Sequence, residues 1–365
     1  MILYSDLICM VLVFYVWIRV YRSIHMEKSS KLAFYFSGVG LVLILVLDFI
    51  WEYMYFKLPY GESRRFWMNF VVTVMYMLLP LTVSTPMICY NHEKGGPRYR
   101  WVAVLIGFYL LSAVINIFHP IFFSHTNEGM KYTALTPYMY LACLLLFVFV
   151  TLEVYAHKFS FDQEDNFMIC ISVSVNVIGI AAAQFAQDLL TLWLTMSLSY
   201  LFLYLAIEEM YAKTDPITGL KNRNAYTKQM RRIRAKERFT LAVFDTNDLK
   251  KYNDTMGHLA GDEYLRYTAL TLKSALKTYG ILYRTGGDEF CLVSYSEGWR
   301  IEECLQKLFQ QEAAKTVGKF RLDVAYGIAV RAEDEAIKAV ADRADQEMYR
   351  NKMKIKQERL KSRET

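Results

Sequence analysis

The chain has 365 residues, of which 54% are hydrophobic and 21% charged, with a formal net charge of +6. Residues 1–210 carry 12 Lys/Arg and 14 Asp/Glu, whereas residues 211–365 carry 30 and 22. An apolar first part joined to a charged second part excludes a simple soluble enzyme, a disordered chain and a disulfide-stapled secreted scaffold. The six cysteines form no Cys-x-x-Cys pair and no Cys/His cluster, so neither zinc nor a disulfide framework is suggested.

The first part reads as membrane-spanning helices. A bilayer core about 30 Å thick needs roughly 20 apolar residues per helix. Seven stretches approach that length, at about 2–18, 32–56, 66–90, 101–124, 136–156, 167–187 and 189–207. Only Gln187 and Asp188 separate the last two, so a count of six stays open. The first stretch has no basic leader and no small-residue cleavage site, and reads as a retained helix. Lys and Arg in alternate loops number nine on one face and four on the other. That bias puts the basic face in the cytoplasm, the N-terminus outside and residue 211 onward inside. Polar residues within the apolar stretches are Asp48 and Glu52, one helical turn apart, with Asn69, Asn116, Glu153, Asn176 and Gln184. Asp48 is a candidate for a ligand or proton pocket, and hydrogen bonding between helices is the alternative. Pro80 and Pro86 predict a kink in the third stretch. His119 and His125 flank the outer rim at a spacing that argues weakly for metal.

The second part alternates. Helix is expected over 222–236, a buried strand over 239–244, and two helices over 248–256 and 260–276. Two strands around a Gly-Gly turn follow over 281–295, then a helix over 298–315, a strand over 320–331 and a long helix over 334–358. This order predicts an α/β domain with a central mixed sheet. No Gly/Ser linker or long heptad array separates it from the last apolar stretch; residues 208–213 read as a short helical connector.

Two acidic groups stand at expected strand ends. Asp245 follows the apolar strand and precedes Thr246, and Asp288-Glu289 follow Gly286-Gly287. Hard divalent cations take carboxylate oxygens, with a nucleotide triphosphate supplying further ligands. Adjacent glycines let a ligand approach the backbone. Lys250 lies near the first group, and Lys352 and Lys356 lie a turn apart on the last helix. Together they form a candidate metal–phosphate site.

The run RTGGDEF at 284–290 resembles the signature of the GGDEF-domain diguanylate cyclases. TDPITGLKNRNAY at 214–226, FDTNDLKKYNDTMGHLAGDEYL at 244–265, AYGIAV at 325–330 and ADQEMYRNK at 344–352 are similar to further blocks of that family, in order. The resemblance covers 214–358, leaving 1–207 as a multi-span sensor or anchor and 359–365 as a basic tail. It implies a nucleotidyltransferase that condenses two GTP into cyclic di-GMP with release of pyrophosphate. It also implies a bacterial inner-membrane location, Mg²⁺ with Mn²⁺ as a substitute, and a homodimer of facing domains. By motif position, Asp245, the Thr246 carbonyl and Asp288 should hold the metal, with Glu289 beside the metal and the reacting hydroxyl. Asn253 and Asp262 should read the guanine edge. Lys250, Lys352 and Lys356 should neutralise phosphates, and Gly286 and Gly287 should make room for the nucleotide.

Departures from the pattern are Asn247 for a second Asp, Leu249 for Phe, and KMKIKQ for a run with Gly and Arg. The Arg-x-x-Asp of the family's inhibitory product site is replaced by Lys277 and Gly280. The alternative reading is a degenerate domain that only binds a nucleotide or a partner. A transporter with a cytoplasmic accessory domain and nucleic-acid binding by the basic tail fit less well, and no nucleic-acid partner is expected.

Overall fold

The computed structural model describes all residues except 1, 25, 94–98, 127–128, 143–144, 146–147, 149–162, 187–188, 316–318 and 365. The chain divides into two compact units, Met1–Met210 and Tyr211–Thr365.

The first unit contains α1 (Ile2–Arg22), α2 (Lys28–Lys57), α3 (Glu62–Glu93), α4 (Tyr99–Phe118), a hairpin of β1 (Phe123–Thr126) and β2 (Gly129–Tyr132), α5 (Gln163–Ala186) and α6 (Leu189–Ala212). Of the expected fifth span, 136–142 is helical and most of the rest, with Glu153, lies outside the described residues. Among the described residues one helix, Lys28–Lys57, is long and apolar enough to cross a membrane; Val104–Phe118 and Cys170–Ala182 are shorter apolar segments. α3 is assigned as one helix through both Pro80 and Pro86.

This unit buries several polar groups among its apolar core and exposes many large apolar side chains. Asp48, Asn69, Thr73, Asn116, Ser172, Asn176 and Ser199 are buried, while Leu7, Val11, Phe14, Ile18, Phe36, Phe49, Phe108 and Leu111 are exposed. Some of the buried polar groups bond across helices. Ser172 Oγ lies 2.8 Å from Ser199 Oγ, Asn116 donates to Thr73 Oγ1 at 3.4 Å, and Tyr200 donates to the Phe34 carbonyl at 2.6 Å. His125 is used by the fold: its Nδ1 lies 2.7 Å from Asn69 Oδ1 and its Nε2 accepts from Trp51 at 2.9 Å.

The second unit is α/β. Its elements are α7 (Arg223–Arg232), β3 (Thr240–Thr246), α8 (Leu249–Met256), α9 (His258–Leu276), β4 (Gly280–Arg284), β5 (Glu289–Ser294), α10 (Gly298–Ala314), β6 (Val324–Val330) and α11 (Ile337–Glu364). The strands run β4-β5-β3-β6, each pair antiparallel, and the parallel component of the mixed sheet is the isolated bridge between Lys221 and Tyr283.

β3 is buried at every position because both faces of the sheet are covered. Alternation sends Ala242 and Phe244 into a core with Leu265, Leu272, Ile301 and Leu305 of α9 and α10. Leu241 and Val243 enter the opposite core with Met230 of α7 and Val340, Ala344 and Met348 of α11. Gly327 on β6 lets α11 pack against the sheet, since a Cβ there would meet Ala344 O and Met348 N at 2.2 Å.

Several boundaries differ from the sequence reading: α7 ends at Arg232, four residues early, β6 starts at Val324 instead of 320, and α11 starts at Ile337 instead of 334. β3 extends through Asp245 and Thr246 instead of ending before them, because its backbone pairs on both sides whatever the side chains are. Gly257, at φ 82°, ends α8 and starts α9 without an intervening loop. Residues 359–364 continue α11 and are not a separate tail.

Candidate active site

The period-2 alternation that buries Leu241 and Val243 beneath α11 points Asp245 to that same face. Asp245 stands directly opposite Glu289 in the β3–β5 register, so two carboxylates share one face at the end of the sheet. The chain then turns through Gly286, Gly287 and Asp288, and Thr246 N donates to the Asp288 carbonyl at 2.9 Å. Asp245, Asp288 and Glu289, distant or merely neighbouring in sequence, thus meet at one corner.

α11 brings cations to this corner. Its sheet-facing positions run Ala344, Met348 and Lys352 at four-residue spacing. Where the apolar floor ends, Lys352 Nζ bonds Asp245 Oδ1 at 2.6 Å. Lys356, one turn on, and Lys250, at the start of α8, are exposed and make no ion pair among the described residues. Asn253 packs over Gly261, where a Cβ would lie 2.0 Å from Asn253 Oδ1. The close helix–helix corner at Gly257 therefore brings Asn253 beside Asp262, both half-buried.

The two signature glycines differ. A Cβ on Gly286 would meet Glu289 Oε2 at 2.5 Å, whereas one on Gly287 would meet nothing within 4 Å. Gly286 serves the protein's own packing, and Gly287 faces open space.

Partial burial pushes the Glu289 carboxyl above the usual carboxylate range; Asp288, Asp345 and Asp245 push the same way and Arg223 opposes them. The donors gathered here are carboxylate and carbonyl oxygens without Cys or His, the set that suits a hard divalent cation. Their mutual repulsion is what such a cation relieves. No three His, Cys, Asp or Glu side chains among the described residues already form a metal-holding group.

Sequence reasoning missed the clamp behind the turn. Arg284 NH1 bonds Asp215 Oδ1 at 2.9 Å, its NH2 bonds Gly287 O at 2.7 Å and its Nε bonds Gly286 O at 3.2 Å. Asp215 also accepts from Thr218 N and Oγ1 at 2.8 and 2.7 Å. Burial alone raises the Asp215 carboxyl, but the bonds from Thr218 and Arg284 outweigh it and hold it below its ordinary value. The signal was present in the adjacency of Arg284 to the glycines, but its partner lies 69 residues away. A second missed cation is Arg359, which bonds Asp248 Oδ2 at 3.0 Å and also the carboxylate of Asp323.

Comparison with known proteins finds similarity over the second unit. Residues 212–358 match the family model described as diguanylate cyclase, GGDEF domain. The diguanylate cyclase DgcP of Pseudomonas aeruginosa is 34% identical over 161 residues, covering 41% of this chain and 24% of that protein. VdcA of Vibrio cholerae, also a diguanylate cyclase, is 29% identical over 167 residues, covering 43% and 49%. The chain thus spans between a quarter and a half of the length of these relatives. The solved GGDEF domain of DgcB from Caulobacter crescentus, in complex with c-di-GMP, is similar at 28% identity and a TM-score of 0.36, covering 39% of this chain and 91% of that one. Residues 212–358 are thus the part of the chain that is similar to the GGDEF domain of diguanylate cyclases.

Proposed function

We propose that the protein is a membrane-bound diguanylate cyclase that condenses two GTP into cyclic di-GMP and pyrophosphate, regulated through its helical first unit. The observation that carries the activity is the carboxylate set: Asp245 opposite Glu289, with Asp288 tied to the same strand end through Thr246 N. A domain that only binds nucleotide has no need of carboxylates placed near enough to raise Glu289.

Asp245, the Thr246 carbonyl and Asp288 would hold Mg²⁺ or Mn²⁺. Bound there with GTP, the cation would supply charge stabilisation on the phosphate oxygens. The chain's own residues do the rest. Asn253 and Asp262 present an amide and a carboxylate to the donor and acceptor groups of guanine. Lys250, Lys352 and Lys356 lie where a triphosphate needs positive charge, and Gly287 leaves space for its approach. The 3′-hydroxyl oxygen of one GTP forms a bond to the α-phosphorus of the other as the bond to pyrophosphate breaks, and the same step in the opposite sense closes the ring and releases the second pyrophosphate. Glu289, whose raised proton affinity suits a proton acceptor, takes the hydroxyl proton. Each domain binds one GTP, so two chains face each other.

Membrane location is supported by the exposed apolar surface of the first unit and the polar groups it buries. Exposed Leu7, Val11, Phe36, Phe49 and Phe108 around buried Asp48, Asn69 and Asn176 suit lipid outside and hydrogen bonding inside. With seven spans, the loop charges set the N-terminus outside and the GGDEF domain in the cytoplasm.

The test is incubation of the purified full-length protein with GTP and Mg²⁺, with the product identified by mass. Cyclic di-GMP is expected. Bound but unaltered GTP supports the nucleotide-binding reading instead.

A further inference from the structure

Arg359 sits in the stretch that reads as a solvated tail, yet it is one of the most connected cations of the second unit. Its two terminal nitrogens bond Asp248 Oδ2, at 3.0 Å, and Asp323 Oδ2. Asp323 is itself a junction. Its carbonyl accepts from Asn247 N at 2.9 Å and from the Tyr264 hydroxyl at 3.3 Å, and its Oδ1 accepts from Asn247 Nδ2 at 2.8 Å. Asp248 holds left-handed backbone at φ 60°, a conformation a non-glycine residue adopts at some cost.

These contacts surround the point where β3 becomes α8. On one side lie Asp245 and Thr246, and on the other Lys250 and Asn253. Lys352 and Arg359 are seven apart, on one face of α11 two turns along. Lys352 grips Asp245 and Arg359 grips the turn at Asp248, so one helix holds both ends of the four-residue segment 245–248. Lys356 lies between them on the helix. The Asn247 that departs from the family pattern is used here: its amide donates to Asp323, which an unprotonated aspartate at 247 could not do.

We propose that Arg359, acting through Asp323 and Asn247, is a positioning residue that fixes the segment carrying Asp245 and the Thr246 carbonyl for metal and nucleotide binding. It rests on the reading of those two residues as metal holders. Partners that orient metal-holding groups change metal affinity by about 10- to 100-fold when removed.

The test uses the full chain in detergent or lipid nanodiscs. Mn²⁺ binding is titrated by electron paramagnetic resonance with a non-hydrolysable GTP analogue present, beside steady-state turnover and thermal unfolding. Arg359→Ala and Asp323→Asn should each weaken Mn²⁺ binding by about tenfold, with a matching loss in kcat/KM. Arg359→Lys should recover part, since an ammonium keeps the charge but not the fork. Should Arg359→Ala fail to fold, Asp323→Asn and Arg359→Lys carry the test. Mn²⁺ affinity within about twofold of the parent in the folded variants, whatever their Tm, overturns the proposal. A parent that binds Mn²⁺ but makes no product contradicts the cyclase reading, while the binding shift still decides the role of Arg359.

Discussion

Asp288 lies in a turn with little core packing, so its replacement by Ala should remove product formation while leaving Tm nearly unchanged. Loss of one metal carboxylate removes several kcal/mol of transition-state stabilisation. Turnover near the parent level in Asp288→Ala would contradict its assigned role. Gly286→Ala should displace Glu289 and lower activity, whereas Gly287→Ala should leave Tm alone, because only the former meets an atom of the protein. Thermal unfolding beside turnover separates the two. The Arg284–Asp215 pair is mostly buried, and Arg284→Ala leaves a carboxylate without its cation, costing about 3 kcal/mol in unfolding free energy. Because Asp215 is held below its ordinary value, its contribution is present at neutral pH and fades as pH falls below about 4. Glu289 runs the other way. Its raised carboxyl opposes folding at neutral pH, so Glu289→Gln should raise Tm at pH 7 and lose that advantage in acid, while abolishing turnover. An unchanged or lower Tm at pH 7 speaks against the crowding of carboxylates at this corner. Asp245 and Asp288 were legible in the sequence because each stands beside a strand or a glycine pair. Arg284's partner and Arg359 were not, because side-chain bridges over 69 and 111 residues leave no local pattern.

Among elements, the hairpin of β4 and β5 explains a missing control. Gly280 pairs with Ser294, and a Cβ on it would lie 2.2 Å from Val293 O, so this strand start accepts no larger residue without moving. An acceptor side chain for product is therefore absent at 280, and Lys277 offers a point charge where the family has an arginine fork. Added cyclic di-GMP should not inhibit non-competitively at micromolar levels; strong inhibition that GTP fails to relieve would mean product binds elsewhere on the chain. The strand and helix order of the second unit was readable from periodicity in helices such as α9 and α10, which bury one apolar stripe, and from the continuous apolar run of β3. Element ends were less so. Asp245 and Thr246 look like loop residues by composition, but backbone pairing to β5 and β6 does not depend on side-chain polarity. The helical stretches of the first unit were readable by hydropathy, but hydropathy carries no information on which polar side chain meets which; the His125–Asn69–Trp51 contacts join residues 56 and 74 apart.

At the scale of the whole chain, α6 is a single helix from Leu189 to Ala212, and its end is fastened within a few residues. Asn222 Nδ2 donates to the Ala212 carbonyl at 2.7 Å while Oδ1 accepts from Ala225 N at 3.1 Å, capping α7. The proposed regulation requires that the helix pass on rotation, which a Gly-rich segment would absorb. One Ala inserted after Met210 turns the following chain by roughly 100°, and seven Ala-rich residues approximately restore phase. Basal activity in membranes should change strongly with the first insert and less with the second. Equal activity in both inserts and the parent would make the first unit an anchor without control over the cyclase.

The most direct measurement compares the parent and Asp288→Ala, full length and in the same lipid, incubated with GTP and Mg²⁺ and read by mass spectrometry. The account predicts cyclic di-GMP from the parent and none from the variant, with both proteins equally folded. No cyclic di-GMP from a folded parent, or equal amounts from the two, would contradict it.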